Sequence, residues 1–326
     1  MELLNKCWNE KGGKSNTTIN TDYEMGYVCM KNPKRNIIPF IILFLIHTGL
    51  LGYSFYKRKN KKQLFTLLMS NIGFAYLLEF FVLNLFKAYR YKPRVMKKNF
   101  FDNILGAILS QAIFVPFTAV FSTALKLGWI WKLLGGLYFS LVELLFLRLK
   151  VYKHYWWKTV YTLVLIPIYF KISDFWNILL SKKNPFIRFI SLFLMIMVTE
   201  ANIIFLFAST RKIRFGFGRY HSWTEHFIIV PLYAISLSFF STLSFLKRNN
   251  WTSKLRVLVM TIGLDQTFKM RKLVKEKFHV VNYFTVRILL IFLYGIYRDL
   301  VYGARKTVES ENFKDESLTK IGCDLE

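Results

Sequence analysis

The stretch Phe186–Phe207, FIRFISLFLMIMVTEANIIFLF, decides the fold. It is too long and too uniformly apolar for a half-buried strand, and its one acid, Glu200, stands well inside it. A helix rises about 1.5 Å per residue, so an apolar run of about 20 residues matches the ~30 Å hydrocarbon layer of a bilayer. Blocks of the same kind recur at Ile37–Tyr56, Leu64–Phe86, Ile104–Leu125, Trp129–Leu147, Trp156–Ile172 and Phe227–Leu246. The expected fold is therefore all-α, a polytopic transmembrane helix bundle with seven spans. The fifth block is the least sharply bounded: it runs on toward Leu180 if Lys171 and Asp174 sit at headgroup level, with Asn184-Pro185 as the next break. An eighth span over Tyr283–Val301 is left open by Arg287 and Arg298, between which only a short uncharged run remains.

Composition agrees. Hydrophobic residues make up 54% of the 326 and aromatic ones 18%, while 46 Lys and Arg face 19 Asp and Glu, a net charge of +27. In a soluble chain such a charge would point to nucleic acid. Here the cations cluster in the turns between apolar blocks, where anionic lipid headgroups meet them, so the expected partner is the bilayer and no nucleic acid. Cations flanking the spans are more numerous on the N-terminal side, which favours a cytoplasmic N-terminus. Tryptophan supports the same boundaries, because its apolar ring and polar N–H suit the membrane–water interface. Trp129, Trp131, Trp156, Trp157, Trp176, Trp223 and Trp251 all fall at or just beyond a proposed span end, and Trp8 alone stands elsewhere.

The chain divides into a polar segment at 1–36, the bundle at 37–246, a basic amphipathic region at 247–302 and an acidic flexible tail at 303–326. In the third region Leu255, Leu258, Val259, Ile262, Phe268 and Leu273 fall at mostly helical spacing, as in an interfacial helix or a partly buried cytosolic one. Cys7, Cys29 and Cys323 show no metal or redox spacing and read as free thiols. The sequons at Asn16 and Asn250 are taken as chance, since richness in Lys, Ile, Asn, Phe and Tyr points to an AT-rich bacterial genome.

Charges inside a bilayer cost about 2.5–3.5 kcal/mol each, so any within a span is a functional candidate. Glu79, Glu143 and Glu200 lie in the second, fourth and sixth blocks at a similar depth, which permits a ring. None has a cation at the spacing that would pair it on its own helix face, so each needs partners from other helices, an approach to the interface, or a proton. Two roles follow: packing bonds that lock the bundle, or proton and cation movement. Pro39, Pro116, Pro167 and Pro231 fall in the odd-numbered blocks, and Pro116 and Pro167 are expected to kink theirs. Together with the acids this outlines a recurring two-helix unit, a kinked helix and then an acidic one.

His221, Glu225 and His226 do not have zinc-motif spacing, because two His five positions apart face different sides of a helix. No metal site, nucleophile elbow, Walker loop or dinucleotide fingerprint is present, so neither cofactor nor catalytic site is expected; an interfacial lipid-modifying enzyme using those three residues is the weakest alternative.

Between Phe101 and Trp176, Asp102–Ala107 (DNILGA), Val115-Pro116, Glu143 with its following apolar turn, and Tyr152–Trp157 resemble a family of small, uncharacterised multi-pass membrane proteins of spore-forming, low-GC Gram-positive bacteria. The resemblance covers about a quarter of the chain. It implies an integral protein of unknown role in the bacterial cell membrane or forespore membrane. From the residues themselves, a structural or interaction role with the Glu and Pro residues serving packing is the first expectation, and a proton- or cation-coupled transporter or channel using Glu79, Glu143 and Glu200 is the alternative.

Overall fold

The computed structural model describes residues 36–217, 221–277 and 280–303. Residues 1–35, with Trp8, Cys7, Cys29 and Asn16, and residues 304–326 of the acidic tail, with Cys323, lie outside them. Seven helices are long and apolar enough to cross a membrane: α1 Ile38–Lys57, α2 Lys61–Leu85, α3 Asn99–Ala124, α4 Trp129–Arg148, α5 Thr159–Ser181, α6 Pro185–Ser209 and α7 Trp223–Phe245. The protein is thus a multi-pass membrane protein built as a helical bundle. Two further helices follow, α8 Trp251–Met270 and α9 Val280–Tyr302. Four short strands sit in the turns: β1 Tyr89–Tyr91 pairs antiparallel with β2 Tyr152–His154, and β3 Ile213–Phe215 with β4 Val274–Glu276.

Helix α5 extends past Ile172 to Ser181, and of the two charges in its second half Lys171 is exposed while Asp174 is paired inside the bundle. Asp174 meets the buried Lys132 ammonium of α4 at 2.9 Å and accepts from Thr123 of α3 at 2.8 Å, instead of standing at a headgroup. Trp176 also departs from expectation. It is buried inside α5 and donates through Nε1 to Ser191 of α6, whereas Trp129, Trp131, Trp156 and Trp251 stay exposed near helix ends.

Prolines shape two of the helices. Pro167 lies inside α5 and removes the N–H that would meet the Leu163 carbonyl; α4 brings Gly136 onto that spot, where an added Cβ would stand 2.7 Å from the Leu163 oxygen. Pro116 follows a π-helical segment, Leu109–Phe114, whose wider turn is closed by Val115 N–H on the Ser110 carbonyl. A second π segment, Phe80–Leu85, ends α2 directly after Glu79.

Helix α8 overturns the interfacial reading. Ser253, Val257 and Thr261 are buried against the bundle, while Leu255 and Val259 are each 61% exposed, so the inward face carries two hydroxyls and large apolar side chains stand outward. That arrangement suits lipid surroundings, since the inward groups find partners and the outward ones need none. Nor does the helix lie flat. Its C-terminal end feeds β4, which pairs with the strand that follows α6, so α8 climbs between the same two ends as α6 and α7. Helix α9 returns to the other end, where Asn249 donates to Asp299 at 2.7 Å and Arg298 to the Lys247 carbonyl at 3.2 Å.

The turns expose a four-helix repeat in place of the two-helix unit read from the sequence. The series α2-β1-α3-α4-β2-α5 returns as α6-β3-α7-α8-β4-α9, ~122 residues further on. Its backbone bonds correspond one by one. Lys92 N–H donates to the Val151 carbonyl as Gly216 N–H does to Leu273, and Tyr155 N–H to Ala88 as Lys277 N–H to Lys212. The strands are entered through a cation in the left-handed region: Lys87, Lys150, Arg211 and Lys272, with φ between 49° and 59°. Such residues close a helix by αL capping and place their charge at its negative end. Even Tyr91 N–H on Asn103 Oδ1 has its match in Phe215 N–H on His226 Nδ1. Four helices per unit keep both copies in one orientation, as in transporters with parallel repeats. Among the described residues, α1 has no counterpart.

This layout predicts sidedness. Single cysteines replacing Lys153 and Lys275 label from one face of the membrane, and those replacing Lys126 and Arg248 from the other. Lys275 labelling from the Lys126 face would remove α8 from the set of crossings.

Candidate functional site: two acid-lined cavities

The three carboxylates do not form a ring. Glu79 and Glu143 share one neighbourhood in the first unit, and Glu200 occupies another in the second, where Asp265 joins it.

The second neighbourhood is closed. Arg287 of α9 donates from Nη1 to both oxygens of Glu200 at 3.2 Å, and from Nη2 to Asp265 Oδ2 at 3.2 Å and Tyr233 Oη at 2.7 Å. Tyr294 donates to Glu200, and Tyr233 and Tyr283 both donate to Asp265. The guanidinium also lies over the Tyr283 ring, 5.6 Å from its centroid. One planar cation with five N–H groups thus meets two carboxylates and three phenols, leaving a cavity of only about 40 Å³. Neither Asp265 nor Arg287 was singled out as functional from the sequence, where Arg287 counted against a span.

The first neighbourhood is built from the same positions but is open. Helices α4 and α8 are both 20 residues long, and Glu143 and Asp265 occupy the same place in them. Helices α5 and α9 are both 23 residues long; Thr162 of α5 donates to Glu143 from the place where Tyr283 of α9 donates to Asp265. Where α9 carries Arg287, α5 carries Ile166. Glu79 and Glu200 lie one helical turn apart in α2 and α6, which have equal lengths.

Glu143 is well supplied: Thr159 donates to Oε1 at 2.9 Å and His154 of β2 stands 2.8 Å from the same oxygen. Glu79 is not. Its Oε2 accepts from Tyr89 at 2.6 Å and from Gln111, in the π segment of α3, at 3.1 Å, while Oε1 has no partner although the residue is only 8% exposed. Strand alternation turns Tyr89, Tyr91 and Tyr152 inward, and their rings pack within 5.6 Å of one another. Burial lifts all three phenols well above the usual range, with the neighbouring carboxylates adding to it, so they remain O–H donors at neutral pH. Tyr91, Tyr152, Ser110, Glu143, Thr162 and Ile166 line a cavity of about 130 Å³.

Gln111 and Glu79 also border a third cavity, of about 110 Å³, between the two units. His226 faces it. Its Nδ1 accepts the Phe215 N–H at 3.0 Å, which puts the ring proton on Nε2, an atom without a partner in a fully buried residue. Glu225 caps its own helix by accepting from Ser222 N–H at 2.9 Å and Phe217 N–H at 3.2 Å. His226 and Glu225 therefore hold the β3–α7 turn, and His221 occupies the left-handed residue before it. Among the described residues no three His, Cys, Asp or Glu are grouped to hold a metal ion.

The closed cavity yields a stability prediction. Arg287→Ala leaves two buried carboxylates facing each other, which costs about 3–5 kcal/mol, and removing their charges as well, with Glu200→Gln and Asp265→Asn, restores part of the loss. Thermal unfolding in detergent micelles measures both; an unchanged midpoint in Arg287→Ala contradicts the assignment. Compared with models of protein families, with curated proteins and with solved structures, the chain matches none.

Proposed function

We propose that the protein is a membrane transporter or channel in which Glu79 and Glu143 take up protons or cations. One observation carries this reading: two equivalent acid-lined cavities differ in that one holds its own guanidinium and the other, lined by Glu143, has none, while Glu79, behind its partners Tyr89 and Gln111, keeps one buried oxygen without a partner. A buried carboxylate without a counter-charge is costly, so it either takes a proton or attracts a cation. The π segments next to Glu79 and around Gln111 fit the same reading, since such segments gather at functional sites. A packing role remains the second reading and is favoured by Glu200 and Glu143, each of whose oxygens has at least one partner on a neighbouring helix or strand.

The strands support the bilayer as partner. Arg90 stands directly opposite Lys153, a pairing that repels unless an anion lies between them. Anionic headgroups at the helix ends supply that charge. The resemblance of residues 101–176 supports a bacterial cytoplasmic or forespore membrane as the location.

Reconstitution into liposomes tests the function. Wild type is expected to pass protons or monovalent cations down an imposed gradient, and Glu79→Gln to assemble normally yet lose that flux. A wild-type protein that moves neither protons, alkali cations nor organic cations returns the three glutamates to packing.

A further inference from the structure

We propose that the open cavity of the first unit is a binding site for a small guanidinium compound, held by Glu143 and the inward tyrosines as Arg287 is held in the second unit. The inference rests on the cation-binding reading above and narrows it to a ligand class.

The argument is one of correspondence. Asp265 receives Arg287 through Oδ2 at 3.2 Å, and Glu143 occupies the same place in the preceding repeat. Three phenols surround the Arg287 head, Tyr233, Tyr283 and Tyr294, all donating to the flanking acids. Three phenols also wall the first cavity, though they come from strands: Tyr89 donates to Glu79, and Tyr91 and Tyr152 line the open space. An aromatic wall with carboxylates behind it suits a flat, weakly hydrated cation better than a compact ammonium. The space is also right in kind. The unit that holds its own guanidinium retains about 40 Å³, and the unit with Ile166 in that place retains about 130 Å³.

The cations of the hairpin do not crowd the ligand. Arg90 and Lys153 alternate with the inward residues, and the strand pair presents only Tyr89, Tyr91 and Tyr152 to the cavity. His154 is bonded to Glu143, His47 packs behind the lining residues Phe114 and Phe139, and the Thr159 and Thr162 hydroxyls supply the other donors to that carboxylate. A ligand head with several N–H groups would take over the unpartnered lone pairs that these donors leave.

The test uses the full chain in lipid nanodiscs with three probes of similar size: methylguanidinium, methylammonium and neutral N-methylurea. Calorimetry is expected to show one methylguanidinium per chain, bound at least about tenfold more tightly than methylammonium, with N-methylurea not binding. Ile166→Arg places a tethered guanidinium where the ligand goes, so it should raise the thermal midpoint and abolish binding. Glu143→Gln should weaken binding, and Thr162→Val provides a milder second variant should Glu143→Gln assemble poorly. Equal affinity for methylguanidinium and N-methylurea, or binding that survives in Ile166→Arg, overturns the proposal. Binding of methylammonium or alkali cations without methylguanidinium overturns the ligand class but leaves the cation reading standing, and absence of binding by every cation removes both.

Discussion

A guanidinium buried between two carboxylates governs how the second half of this bundle is assembled. Arg287 on α9 reaches Glu200 on α6, Asp265 on α8 and Tyr233 on α7, so four helices meet at one cation. In hydrocarbon no water is present to solvate any of these groups, and each is tolerable only because the others are there. The contact also explains why α8 and α9, with charges that disqualify them as simple apolar spans, stand upright among the others. Their polar residues turn inward to this cluster while Leu255, Val259, Leu289 and Ile296 turn outward.

The same constraint exposes the asymmetry between the repeats. Their backbones agree down to the turn bonds that join β1 to β2 and β3 to β4. Their polar interiors do not. The second unit answers its acids with a cation from within the chain; the first answers Glu143 with two hydroxyls and a histidine, and Glu79 with a phenol and an amide. A single cation, Arg287 in one unit and Ile166 in its place in the other, separates a closed packing cluster from an open cavity within the same arrangement of helices.

Much of the fold was legible in the sequence, and the reason is lipid. Runs such as Phe186–Phe207 admit only one solvent, and Trp129 and Trp251 mark helix starts where a ring can be half wet. Trp176 misled because an indole N–H is equally satisfied by a buried hydroxyl, here Ser191. The site was only partly legible. Glu79, Glu143 and Glu200 announced themselves as charges inside apolar blocks, but Asp265 did not, since its surroundings in α8 are mixed and Lys and Arg flank it. Arg287 left an eighth span open because a sequence window counts charge without its partners. The signal that finds both is the recurrence of Trp129 and Glu143 as Trp251 and Asp265 at a constant spacing, which requires comparing the halves instead of scoring each block alone.

Why the open cavity lies where it does follows from the strands. Tyr89, Tyr91 and Tyr152 are carried by extended backbone, which a membrane tolerates only where its N–H and C=O groups are paired. The β1–β2 ladder pairs them, and Asn103 receives the remaining Tyr91 N–H at 2.7 Å. Extended backbone presents alternate side chains to one face, so a hairpin at the end of the bundle delivers three phenols to the carboxylates of α2 and α4 without adding a helix. In the second unit the corresponding strand residues, Phe215 and Val274, are apolar and pack with Ile204 and Phe268, and the phenols come from helices. The acids are thus held at a similar level in both units, but only in the first are their partners carried by a short ladder at the edge of the bundle, next to the turns where a solute arriving from the aqueous phase first meets the protein.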